Sequence, residues 1–532
     1  MNDELNREEF EDSDQEQKEY EERRKMRQKR RRRAAMQRNI TLAVLVILII
    51  GIAAAAAHVL LLKNNTEYSN DPMAFLSGLF HSDNKMEIMT EAATEIQTEA
   101  ITEAVQTELQ TEAPQTEATA DPAVLEEAKK MAMGYDYDGA IALLKTIPSY
   151  ETLPEVTSAI SEYEATKASC VAVDVNTVPH IFYHSLINDT DRAFNVSTLG
   201  QFAVDGMNAW MTTVEEFDKI TQTLYDNGYV YVRLRDLVVE TTDANGNVTF
   251  TANTNLMLPE GKKAIVLSID DLSYYHSYEP AGFPEKLVLD ENGDVKCLYK
   301  TSDGEEHIGN YDVVPRLNAF LEEHPDGAYK GARGLIAMTG YDGVFGYRTD
   351  EDYELRQKLT QDQQKWLDEH PDFDRASEIA EATKIADAIK ESGWEFASHT
   401  WGHLSVTQKT VEELKVDNEK WVKNVQNIVG PVDTIIFAHG NDIGDWQDYS
   451  SDNEKYQYFK SAGYNYFCNV DGSVPYWVQI RSDYVRQGRI NLDGYMLYQS
   501  SQGATTVIDN LFLASQVFDS RRPTPVVANG EG

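Results

Sequence analysis

From residue 171 to residue 515, short apolar runs alternate with amphipathic helical stretches, and a chain patterned this way has few architectures open to it. The runs fall at 180–182, 229–234, 264–269, 334–339, 394–398, 434–437 and 464–470. Helical periodicity fills the gaps, most clearly at 214–227, 374–392 and 410–428. Strands separated by helices must return to the sheet by crossover, which predicts parallel pairing. This number of strand–helix units predicts an α/β fold closed into a (β/α) barrel. Residues 286–308 break the rhythm. Asn292-Gly293 is a tight-turn pair there, so the stretch is expected to be an inserted hairpin.

The first third of the chain is organised by charge. Residues 1–22 are strongly acidic, and residues 23–38 carry ten basic residues and no acidic one. Residues 40–62 then contain no charged side chain, and as a helix that stretch spans roughly 34 Å, enough to cross a bilayer. The basic block beside it predicts a cytoplasmic N-terminus at 1–39 and an exterior location for everything beyond the span. Ala53 to Ala57 would suit cleavage of a signal peptide, but the long preceding tail and the resumed apolar run at 59–62 favour an uncleaved single-pass anchor. Residues 63–120 follow, with Thr-Glu pairs recurring between Thr90 and Thr116 and no Lys or Arg between Lys85 and Lys129. Such a segment repels itself and has little apolar surface to bury, so a disordered acidic stalk is expected. Residues 121–168 read as a short helical hairpin broken near Gly134–Asp138, and residues 516–532 as a loose tail. The formal charge of −40 argues against nucleic acid as a partner of the whole chain. Cys170, Cys297 and Cys468 are too few and too scattered for a disulfide framework or a cysteine zinc module.

In parallel α/β folds functional groups collect where strands end. Here Tyr183 and His184 follow the first run, Asp270 and Asp271 the 264–269 run, His399 and His403 the 394–398 run, His439 the 434–437 run and Asp471 the 464–470 run. Four of the eleven histidines thus share one predicted rim with three aspartates, which points to an active site there. His399 and His403, four residues apart, can face one divalent ion, and an aspartate from another strand would complete a His-His-carboxylate set with positions left for water and substrate. Of Asp270 and Asp271, one can bind the ion and the other can serve as a base. A helix cap is the structural alternative for the aspartate pair, and a coincidental pair for the histidines.

Several segments resemble the NodB homology domain of the polysaccharide deacetylases (carbohydrate esterase family 4), over roughly residues 178–500 outside the inserted hairpin. VPHIFYHSL resembles the family's opening strand, and residues 213–237 the helix and strand after it. LSIDDL stands at its Thr-Phe-Asp-Asp-Gly motif, SHTWGH matches its His-Ser/Thr-x-x-His motif, and TIIFAHGND and GYNYFCNVD fall at its third and fourth motifs. The resemblance implies a distorted (β/α) barrel of the NodB type and a metal-dependent hydrolase of carbon–nitrogen bonds. By position, Asp270 is the base and Asp271, His399 and His403 are the metal ligands. Zn2+ is the expected ion, with Co2+, Ni2+ or Mn2+ also suited to the donor set. The implied reaction is attack of metal-activated water on an acetyl carbonyl.

The sequence also departs from the family. Ser268-Ile269 and Leu272 replace residues around the aspartates, Gly440-Asn441 replaces Pro-Tyr, and the late Leu-His that supplies the family's general acid has no counterpart near Tyr495–Ser500. His439 is the expected substitute acid, with His184 second. Arg348 is a candidate substrate contact, and Tyr274, Tyr275, Trp401 and Trp446 are candidate platforms for sugar rings. The expected function is a membrane-anchored extracytoplasmic polysaccharide deacetylase. Its partners would be the membrane and an acetylated polysaccharide or peptidoglycan, with O-deacetylation as a variant. The alternative is a degenerate homologue that binds glycan or cell wall without turnover.

Overall fold

The structure is a computed structural model and describes residues 120–444 and 446–528. The segments read as cytoplasmic tail, membrane span and most of the stalk lie outside these residues. Among the described residues no helix is long and apolar enough to cross a membrane.

Seven parallel strands form a closed barrel: β1 (His180–Tyr183), β2 (Lys263–Asp270), β3 (Leu335–Met338), β4 (Glu395–Ser398), β5 (Thr434–Ile436), β6 (Tyr466–Val470) and β7 (Val485–Asn491). Each pairs with the next in sequence, and β7 closes on β1, where Asn491 stands opposite Phe182. Helices α1 (Pro122–Met133), α2 (Tyr137–Leu144) and α3 (Pro154–Ser169) precede the barrel. Helices α4 (Gln201–Trp210), α5 (Val214–Asp226), α6 (Val313–Glu323), α7 (Arg375–Glu391), α8 (Val411–Trp421), α9 (Glu454–Ser461) and α10 (Gly494–Ser501) belong to its crossovers and its C-terminal side.

Side chains alternate across each strand, and this sorts the core into two layers. Ile265, Leu267 and Ile269 of β2 face outward into a cluster with Phe217 and Ile220 of α5 and Ile385 and Ile389 of α7. Ala264 and Val266 join the other cluster with Ala337, Ala397, Ile436 and Cys468, which fills the barrel interior. That second cluster continues into Ala128, Leu144, Val156 and Ile160 of α1–α3. These helices therefore pack at the end where the strands begin, tied there by the Lys330 N–H donating to the Gly134 carbonyl at 2.7 Å. The expected hairpin at 121–168 is thus three helices, because the break at Gly134–Asp138 divides its first arm and Asp136 caps the new helix.

Two expectations about strands are corrected. The 229–234 run gives only a short strand, Tyr229–Tyr231, which pairs with the start of β2 and stays outside the ring. The seventh barrel strand is instead β7, whose sequence VRQGRIN shows no apolar run. It reads as a polar loop, yet Arg486, Gln487 and Arg489 are all fully buried. The insert at 286–308 forms its hairpin and adds a third strand, Glu306–Gly309. The C-terminal segment is no loose tail through residue 528. Arg522 is buried against Glu216 of α5, and Val526 is buried as well. The three cysteines are free and buried.

Candidate metal centre and its buried carboxylate

The interior grows more polar toward the strand C-termini. His180 lies with Nε2 3.0 Å from Ser268 Oγ and Nδ1 3.0 Å from Gln487 Oε1. One level higher, Asp270 ends β2. The guanidinium of Arg489 on β7 grips it through both nitrogens, at 2.7 and 2.9 Å, and also donates to Ser268 Oγ at 3.1 Å. Burial pushes the Asp270 carboxyl up, but Arg489, followed by His399, more than reverses this and holds it below the usual carboxylate range. Asp270 is therefore an anion at neutral pH although it is almost wholly enclosed.

The next residue turns sharply. Asp271 has φ of 59°, a left-handed conformation that costs a non-glycine residue about 1 kcal/mol or more. Its Oδ1 accepts from Tyr275 Oη at 2.8 Å, and its Oδ2 lies 3.5 Å from His403 Nε2. Thr400, His403 and His439 share the left-handed conformation, so strained backbone gathers at this rim.

His399 follows β4 directly. Its Nδ1 donates to the Ile436 carbonyl at 2.7 Å, which fixes the tautomer and leaves the Nε2 lone pair for the site. Burial lowers its pKa to about 4 against the pull of Asp270 and Asp271, so the ring stays neutral at pH 7. His403 sits in the loop beyond. Asp417 of α8 holds that loop by accepting from the backbone N–H groups of Trp401, at 2.7 Å, and Gly402, at 2.8 Å. The side chain of His403 is 25% exposed while those of Asp271 and His399 are nearly closed off, so the site opens past His403.

Ligand atoms of Asp271, His399 and His403 all lie within 4.8 Å of one another, so the three can hold one metal ion. Bonds of about 2.1 Å in a tetrahedron set ligands about 3.4 Å apart, which the His403–Asp271 separation of 3.5 Å already matches. Two imidazoles and one carboxylate are a donor set suited to such an ion. Asp270 stands outside that set, 3.7 Å from His399 Nε2.

The other residues singled out in the sequence fall elsewhere. His439 Nε2 lies 3.1 Å from the His403 carbonyl and its ring packs on that of His403, so it braces the loop. Arg348 is buried rather than exposed, donating to the carbonyls of Tyr274 and Asp342 at 3.1 Å each. Tyr274 is buried with its hydroxyl on Asp312, which removes it as a sugar platform, and Tyr275 is spent on Asp271. Asp471 makes a turn with Ser473. Trp401 and Trp446 keep partial exposure, and a groove of about 490 Å3 lined by Trp401, Leu404, Lys409 and Lys420 adjoins the His403 loop. The residue that sequence reasoning missed is Arg489. A buried arginine pair leaves no apolar signal, although two arginines among Val, Gly and Ile are a hint of buried ion pairing.

No family model and no curated protein matches the chain. Among solved structures it is similar to the Streptococcus pyogenes deacetylase PplD in complex with acetate. The similarity covers 60% of this chain and 96% of that one, at 13% identity and a TM-score of 0.28.

Proposed function

We propose that the chain is a membrane-anchored, metal-dependent hydrolase that removes N-acetyl groups from a glycan outside the membrane. One observation carries this reading: an ionised second carboxylate, Asp270, stands beside a complete metal donor set. A site that only binds metal gains nothing from a second buried anion, which costs desolvation and needs its own arginine.

In this reading Asp271, His399 and His403 hold the ion, and Zn2+ suits two imidazoles and a carboxylate best. The ion supplies Lewis acidity, polarising the acyl oxygen and making a water molecule more acidic. Asp270 accepts the proton of the attacking water. Both of its oxygens engage Arg489, but each keeps a further lone pair. Arg489 aims the carboxylate and keeps it charged. The groove beside Trp401 gives an extended glycan a place to lie. Anchorage rests on the uncharged 40–62 run and the basic block before it, which set the site on the outer face.

The test is metal content followed by turnover. The purified full-length chain is expected to bind about one equivalent of Zn2+, lost in His399→Ala. Asp270→Asn should keep the metal and lower acetate release from N-acetylglucosamine oligomers or peptidoglycan at least about 100-fold. A folded protein that takes up no metal on reconstitution overturns the reading. Metal binding without acetate release would move the chain to the glycan-binding alternative.

A further inference from the structure

A carboxylate has two oxygens, and a metal ion can take one of them or both. Asp271 presents its two oxygens to different partners. Its Oδ2 lies 3.5 Å from His403 Nε2, beside the other ligand atoms. Its Oδ1 is already engaged by Tyr275 Oη at 2.8 Å. Tyr275 stands four residues further along, in the sequence DDLSYY, just past the Leu272 that replaces the glycine of the motif.

Hydrogen counting gives that bond a direction. An ionised carboxylate only accepts, so Tyr275 spends its single hydroxyl hydrogen on Asp271. Tyr275 Oη then accepts from Thr339 Oγ1, 2.5 Å away. Thr339 has spent its hydrogen in turn, so its oxygen accepts from Ser273 Oγ at 3.2 Å. The hydroxyls of Ser273, Thr339 and Tyr275 thus point one way, toward one oxygen of one ligand, and each polarises the next. All of these residues are buried. The Tyr275 ring stacks on Tyr341, with centroids 5.1 Å apart, and meets Tyr278 edge-on at 5.3 Å, which fixes the reach of its hydroxyl. Thr339 follows β3 directly, and β3 steadies two ligands besides. The Asp271 N–H donates to the Ala337 carbonyl at 3.1 Å, and the His399 N–H to the Met338 carbonyl at 3.0 Å. Satisfying a buried carboxylate oxygen takes one donor; here that donor is itself held by further hydroxyls and two rings.

We infer that Tyr275 is a positioning residue that reserves Oδ1 of Asp271, so that the carboxylate offers a metal ion Oδ2 alone; this rests on the metal-site reading above. Asp271, His399 and His403 then contribute one ligand atom each, and the remaining positions stay open to water and the acyl oxygen. With Oδ1 free, the carboxylate takes a further position and competes with both. Tyr275 touches neither substrate nor ion in this role. It acts through Asp271, and Thr339 and Ser273 act through Tyr275.

The experiment reads coordination rather than turnover. The purified full-length chain is saturated with Co2+, which absorbs visible light strongly when four-coordinate and weakly when its coordination number rises. Tyr275→Phe keeps the ring on Tyr341 and removes only the hydroxyl. At saturating Co2+ it should lose most of the wild-type band intensity, because both Asp271 oxygens then reach the ion. An unchanged spectrum at saturation overturns the positioning role alone, whatever happens to affinity. A second measurement needs no variant. X-ray absorption of the wild-type chain loaded with Zn2+ should show a carboxylate bound through one oxygen, and a carboxylate bound through both overturns the positioning role. A wild-type chain that takes up neither ion overturns the metal-site reading and the positioning role with it.

Discussion

At the scale of single residues the site is governed by one buried ion pair. Arg489 and Asp270 are both removed from water and satisfy each other through two hydrogen bonds. Arg489→Met leaves the carboxylate enclosed without a partner, which typically costs about 3–5 kcal/mol. Urea unfolding should show that loss, and the double variant Asp270→Asn/Arg489→Met should regain part of it because no charge then remains unpaired. A second prediction concerns acid. His399 titrates at about 4 in the fold but near 6.5 in an unfolded chain. The unfolded state thus takes up a proton first as pH falls. In metal-free protein this effect is absent above about pH 6.5, grows as pH falls to about 4 and then saturates, at up to about 3 kcal/mol. Unfolding midpoints measured across that window should fall more steeply for the wild type than for His399→Ala. Parallel profiles would show that His399 is solvated.

At the scale of elements, what the sequence reveals depends on what each element buries. Asp270, Asp271, His399 and His403 were legible because apolar strands announce themselves and the chemistry follows directly after them. β7 was not legible, since its interior residues are Gln487 and Arg489 and its burial is satisfied by hydrogen bonds rather than by apolar contact. With the strand went the arginine, and with the arginine the reason Asp270 stays charged. The loop after β4 shows the same limit. SHTWGH gives the two imidazoles, but the loop that carries the second is held by Asp417, sixteen residues beyond Trp401 and unremarked in the pattern of α8. Asp417→Ala strips the Trp401 and Gly402 N–H groups of their acceptor while leaving His399 on its strand. Zn2+ affinity should fall about 10- to 100-fold, the usual effect of losing an outer support. Competition against a chromogenic chelator measures it, and an unchanged affinity would mean that the loop holds its shape without Asp417.

At the scale of the whole molecule, the described residues close the barrel from both ends of their chain: α1–α3 cover its N-terminal end, and the last residues return to α4 and α5. That return was invisible in the sequence because it is ionic. The Arg522 guanidinium donates to both Glu216 oxygens, at 2.7 and 2.6 Å, and to the carbonyls of Asn208 and Met211, at 2.9 and 2.6 Å. Glu216 also accepts from the Thr213 N–H in the capping box of α5. The bond to Asn208 and Met211 fixes the end of α4, the same turn whose Trp210 carbonyl holds His184. A chain ending at residue 520 loses Arg522 and strands Glu216 as a buried, unpaired charge, at a cost of about 3–5 kcal/mol. Arg522→Met in the intact chain should cost a similar amount, because the guanidinium and not the length of the segment makes the anchor. Thermal unfolding of the truncated chain and of Arg522→Met measures both costs. A truncation that costs less than about 1 kcal/mol would return residues 516–528 to the status of a tail.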